Sequence, residues 1–318
     1  MEYVTLGRTG LEVSVAGLGC GGHSRLGMSY GNSEENSVAV VTAALEQGIN
    51  FIDTAAIYGT EEIVGKAIAG KRASTVISTK QPVVAHGEDP LSSNLISAVD
   101  FKREFEKSLT RLKTDYVDIL HLHGVAPNQY ARCVEELVPA LHDLQRQGKI
   151  RFLGLTERFI VDPQHRMLMQ ALQDEYWDVV MAGFNMINPS ARDRVFQATL
   201  EKNIGTLIMF AVRRALSKPQ ELAALVAELV KAAAVDSTKV DAAAAFDFIM
   251  ENGDATSVVE AAYRFCRHEP GADVVLTGTG KIQHLTENIS SILGGSLSSE
   301  NLARLEDVFG AVDSVSGN

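Results

Sequence analysis

From Val15 onward the chain repeats one pattern eight times: a short run of β-branched and apolar residues, then a longer stretch with helical spacing. The β-type runs fall at 15–19, 49–53, 75–80, 116–123, 150–155, 178–184, 204–210 and 273–277. The intervening patterns predict helices at about 33–47 with Ser33 as N-cap, 60–69, 93–112, 131–147, after Asp162-Pro163, from Ser190, and at 257–268. A closing pair is expected at 281–293 and 298–310. A helix between two strands returns the chain to the end where the first strand began, so such strands pair in parallel. Eight units in about 300 residues fit a closed (β/α)8 TIM barrel better than an open, doubly wound sheet. Ahead of the barrel, 3–6 and 11–14 read as a β-hairpin turned at Gly7-Arg8-Thr9-Gly10, and about 211–252 reads as an Ala/Leu/Glu-rich insertion containing two helices. No Pro/Gly/Ser linker divides the chain, so one domain over 1–318 is expected.

The formal net charge of −11 argues against nucleic acid or an anionic membrane as partner, since both attract basic surfaces. No apolar run approaches the ~20 residues of a membrane span. Cys20, Cys133 and Cys266 are odd in number and form no C-x-x-C pair, which suits buried thiols in a reducing compartment. With no leader-like N-terminus, the expected location is cytoplasmic.

Three of the β-runs end on ionisable residues: Asp53 with Tyr58 five residues beyond, Lys80, and His121-Leu122-His123. In a barrel, the carboxyl ends of neighbouring strands meet at one mouth. A phenol is a weak acid at neutral pH, a nearby ammonium favours its ionised form, and a carboxylate keeps that ammonium in place. A histidine beside them can orient a carbonyl oxygen, and the set would move protons. Gly17-Leu18-Gly19-Cys20-Gly21-Gly22 satisfies the spacing G-x-G-x-x-G. It runs into His23-Ser24-Arg25-Leu26-Gly27, a poor helix start, so a glycine-rich turn is expected rather than a dinucleotide fingerprint.

Asp53-Thr54-Ala55-Ala56-Ile57-Tyr58-Gly59, the strand ending on Lys80 and Tyr116-Val117-Asp118-Ile119-Leu120-His121-Leu122-His123 resemble the signatures of aldo-keto reductases. The resemblance runs from Leu6-Gly7-Arg8-Thr9-Gly10 to His284-Leu285-Thr286-Glu287-Asn288. It implies a (β/α)8 barrel that binds NAD(P)H across its mouth and interconverts a small carbonyl compound, aldehyde or ketone, with an alcohol. By position it makes Tyr58 the acid/base, Lys80 and Asp53 its tuning pair, and His123 the substrate-orienting histidine. The family's Ser-Asn pair for the nicotinamide carboxamide is replaced by Thr156-Glu157, its glutamine by Met181, and its ring-stacking tyrosine by Met209 or Phe210. Arg213 and Arg214 are placed for a pyrophosphate. Gly278, Thr279, Gly280, Lys281, His284, Glu287 and Asn288 fall where the family holds the adenosine end. NADP(H) is favoured by the resemblance, with NAD(H) possible.

Two other readings compete. His121-x-His123 is also a metal-ligand spacing, as in barrel hydrolases, although His142, His165, His268 and His284 fall in or at the start of predicted helices. The second rival is a non-catalytic, cofactor-sensing subunit of a larger assembly, but no heptad stripe or basic arm advertises a partner.

Overall fold

The computed structural model describes residues 1–318. A hairpin of β1 (Tyr3–Thr5) and β2 (Glu12–Ser14) precedes eight parallel strands. These are β3 (Ala16–Gly19), β4 (Phe51–Asp53), β5 (Val76–Pro82), β6 (Val117–Val125), β7 (Ile150–Glu157), β8 (Val179–Gly183), β9 (Gly205–Met209) and β10 (Val274–Thr277). Each pairs with the next, and β10 pairs with β3 to close the barrel. Strand alternation sorts the core into two layers. Phe51, Val76, Ile119, Val179, Leu207 and Val274 fill the barrel interior with Leu6, Leu11 and Val13 from the hairpin. Ile52, Ile77 and Leu120, one residue out of phase, face the helical layer.

The hairpin stops the amino-terminal end of the barrel. Gly7 lies at φ +45°, and a Cβ there would fall 2.3 Å from the Gly205 nitrogen, so only glycine lets the turn sit on β9. The helices follow their sequence signals closely. Ser33 caps Glu34–Glu46 by accepting from Asn36 N. Phe101, Phe105, Leu109 and Leu112 form the buried stripe of Ala98–Leu112, each contributing roughly 1.5–3 kcal/mol by leaving water.

Three local expectations change. The helix expected from Ser93 begins at Ala98, because Ser97 is the cap and Ile96 N bonds to Val83 O instead. Pro163 precedes its helix rather than opening it. The helix is Arg166–Ala171, and Asp162 caps Met167 N across a left-handed His165. The insertion holds one long helix, Pro219–Lys231, while its other helices, Arg214–Ser217 and Asp247–Glu251, are about one turn each. Asp236 accepts from both Thr238 N and Thr238 Oγ1, a local turn that competes with helix. No helix is long and apolar enough to cross a membrane.

Candidate active site

Ser78 and Lys80 project from one face of β5, two residues apart, toward Asp53 on β4. Lys80 is 1% exposed, so its ammonium must be compensated inside the protein. It donates to Asp53 Oδ2 at 2.5 Å and to Thr54 O at 2.8 Å. Ser78 Oγ donates to the other Asp53 oxygen at 2.8 Å. Burial alone would lower the Lys80 pKa, but Asp53 and Tyr58 outweigh it and hold the amine above its ordinary value, charged. Sequence reasoning passed over Ser78, although its spacing from Lys80 was a usable signal.

Tyr58 stands above this pair. The Lys80 nitrogen lies 5.3 Å from its ring centroid, and the phenol oxygen is 3.4 Å from His123 Nε2. The ring rests on Gly21, where a Cβ would approach within 2.3 Å. The glycine-rich turn therefore gives the tyrosine its seat. Burial raises the phenol pKa; Lys80 and Arg213 pull it back without reversing the shift. The Lys80 ammonium acts on the phenol in the expected direction, but burial outweighs it. In this environment the hydroxyl keeps its proton.

The two histidines of β6 separate. His121 is fully buried, its Nε2 3.1 Å from Ser78 Oγ and its ring filling the space over Gly154. His123 sits in a bulge, where the β6–β7 register slips between Leu122 and Val125. Gly124 completes the bulge at φ +61°. Its N–H donates to Thr156 Oγ1 at 2.7 Å and its carbonyl accepts from Arg158 Nε at 3.1 Å. Burial, then Lys80, drives both imidazoles well below their ordinary pKa, and Arg158 adds to this at His123. Both are neutral. No cluster of three or more His, Cys, Asp or Glu side chains is placed to hold a metal ion.

A cavity of about 1540 Å³ opens beside Asp53 and Tyr58. Met181, Met209, Phe210, Arg213 and Arg214 line it on one side, and Gly278, Thr279, His284, Glu287 and Asn288 on the other. Phe210 holds a left-handed φ of +67°, braced edge-on by Phe159 and covered by the Arg213 guanidinium 4.1 Å from its centroid. Arg214 is paired with Glu221, whereas Arg213 bonds only to the Asn318 amide oxygen and pairs with no carboxylate. Burial lowers the Arg213 pKa, leaving a cation that would accept an anion. An apolar floor, an uncommitted guanidinium and a polar helix start fit a dinucleotide.

Four other residues singled out in the sequence are placed differently. Thr156 is engaged with Gly124. Glu157 turns its buried carboxylate to His165 Nδ1 at 2.9 Å and to Gly183 N at 2.8 Å. Gly280 packs on Gly27, and Lys281 is exposed outside the cavity lining.

The sequence profile of the Aldo/keto reductase family matches residues 18–309. The chain belongs to that family. Members of it perform NAD(P)H-dependent carbonyl oxidoreduction, and this reductase is an oxidoreductase enzyme of that kind. It is 38% identical over 163 residues to L-galactose dehydrogenase of Arabidopsis thaliana, a match that spans 49% of this chain and only 48% of the relative. It is 30% identical over 320 residues to aldo-keto reductase YhdN of Bacillus subtilis (strain 168), covering 95% of this chain and 91% of that one. In fold it is similar to aldo-keto reductase AKR11C1 from Bacillus halodurans, with a TM-score of 0.73 at 22% identity over 99% of this reductase and 98% of that chain.

Proposed function

We propose that this reductase reduces an aldehyde or ketone with Tyr58 as the general acid, and oxidises the corresponding alcohol with the same residue as base. The observation that carries the reading is the meeting of the Tyr58 hydroxyl with His123 Nε2, 3.4 Å apart, above the buried Lys80–Asp53 pair. A nicotinamide bound in the cavity would supply or accept the hydride. The substrate oxygen would lie between the phenol and the imidazole, accepting a hydrogen bond from each. Tyr58 then gives up its proton as negative charge builds on that oxygen. Lys80 stabilises the phenolate left behind, and Asp53 holds the ammonium in position. A neutral His123 donates a hydrogen bond without adding a second full charge next to Lys80.

Met181, Met209 and Phe210 would carry the ring, Arg213 the diphosphate, and His284, Glu287 and Asn288 the adenosine end. NADP(H) is the favoured cofactor, with NAD(H) the alternative, and the cytoplasm the favoured location. The likeness to an L-galactose dehydrogenase makes hydroxylated aldehydes sensible first substrates. The test is a panel of aldehydes, ketones and alcohols, with NADPH and NADH each read by absorbance. Tyr58→Phe should cut turnover by about 10²–10⁴-fold while still quenching cofactor fluorescence. A fully active Tyr58→Phe would remove the phenol from the mechanism.

A further inference from the structure

Arg158 is the first residue beyond β7, and its guanidinium lies beside the His123 bulge. Its Nε is committed to the Gly124 carbonyl at 3.1 Å, which fixes the plane of the group. The two terminal nitrogens have no hydrogen-bond partner in the protein. Other half-buried arginines are all paired: Arg72 with Asp118, Arg111 with Glu61, Arg192 with Glu269, Arg194 with Asp313 and Arg267 with Glu2. Among the half-buried arginines only Arg158 and Arg213 lack a carboxylate, and Arg213 lines the cavity beside Tyr58. Asp89, on the loop after β5, acts on Arg158 through its charge but forms no ion pair with it. In a protein of net charge −11, a half-buried cation that forms no ion pair, set against the Gly124 peptide next to His123, is suited to receive an anion. A planar fork held by one edge presents the other two nitrogens in the geometry that suits a carboxylate.

We propose that Arg158 is a specificity-determining residue, and that the preferred substrate is an oxo-acid whose carboxylate it reads while the carbonyl rests against Tyr58 and His123. This rests on the carbonyl-reducing function argued above. Its reach is set by chain length, because the carbonyl and the carboxylate must span the gap from the phenol to the guanidinium together.

The experiment compares ω-oxo acids of increasing chain length with their methyl esters, which keep the carbonyl and lose the charge. Steady-state rates are measured with NADPH and NADH. At the best length the acid should exceed its ester in kcat/KM by about tenfold or more, the worth of a charge-assisted fork. Most of that difference should lie in KM. Arg158→Gln, which keeps an N–H for the Gly124 carbonyl, should erase the preference. Arg158→Lys, a charge without the fork, should retain part of it, and Asp89→Asn should enlarge it. Esters turned over as well as acids at every length, or a preference that survives Arg158→Gln, would overturn the assignment of Arg158 and leave the reductase function standing. Failure of acids and esters alike, together with the wider carbonyl panel, would overturn both.

Discussion

Lys80 is buried and held by two acceptors, so removing it strands the Asp53 charge. Lys80→Met should destabilise the protein by about 3–5 kcal/mol, the usual effect of breaking a buried pair, and should collapse turnover. Adding Asp53→Asn should recover much of the stability but none of the activity. Urea unfolding and steady-state kinetics on the two variants separate those effects. At the far end of the cavity, Glu287 lines the wall with His284 one turn earlier on the same helix, and Lys281 lies outside. In the proposed binding mode this carboxylate weakens, without cancelling, the hold on a 2′-phosphate. Glu287→Gln should therefore tighten NADPH relative to NADH severalfold, as read by fluorescence titration, and an unchanged ratio would place the adenosine elsewhere.

The bulge on β6 is an element-scale device. Thr156 and Arg158, both from the end of β7, grip the Gly124 peptide from its two sides, so the aim of His123 is set in backbone. Thr156→Val removes the acceptor of a buried N–H, which costs about 1–3 kcal/mol. It should lower kcat with little change in cofactor Kd. A large loss of cofactor binding would instead return Thr156 to the nicotinamide amide. Here the limits of the sequence are plain. The positions of Asp53, Tyr58, Lys80 and His123 were legible because strand ends of a barrel converge. The turning of Thr156 toward Gly124, and of Glu157 toward His165, was not. The direction of Thr156 goes with a register slip between the neighbouring strands β6 and β7, which the sequence of neither strand displays. Gly124 lay just beyond the predicted run 116–123, so the sequence did not mark it as a glycine inside a strand. The helix expected from Ser93 starts only at Ala98, where Ser97 caps it, and the one after Asp162-Pro163 starts only at Arg166.

For the whole molecule, one closed sheet and one continuous outer core predict a single cooperative unfolding transition, the insertion melting with the barrel. Acid should weaken that transition. The folded pKa values of His121 and His123 are depressed from the ordinary 6.5. Above that value neither state binds the protons. As pH falls through it, the unfolded chain takes them up and the folded protein does not, so stability declines. Thermal melts across this range should show the decline, and His121→Gln should soften it. The fold as a whole was readable because alternation over eight units admits few topologies. Much less of the insertion was readable, because an Ala/Leu/Glu-rich sequence has helical propensity everywhere, yet the long helix stops at Lys231 with Ala233 left-handed.

The hairpin stopper also has a consequence for how the protein can change. With its floor sealed by Leu6, Leu11 and Val13 under a turn that tolerates only Gly7, the barrel is a vessel with a single rim. Everything exchanged with solvent crosses that rim, and what holds the vessel shut lies at the opposite end. Lengthening or exchanging the rim loops can thus redirect what the protein accepts while its foundations stay undisturbed.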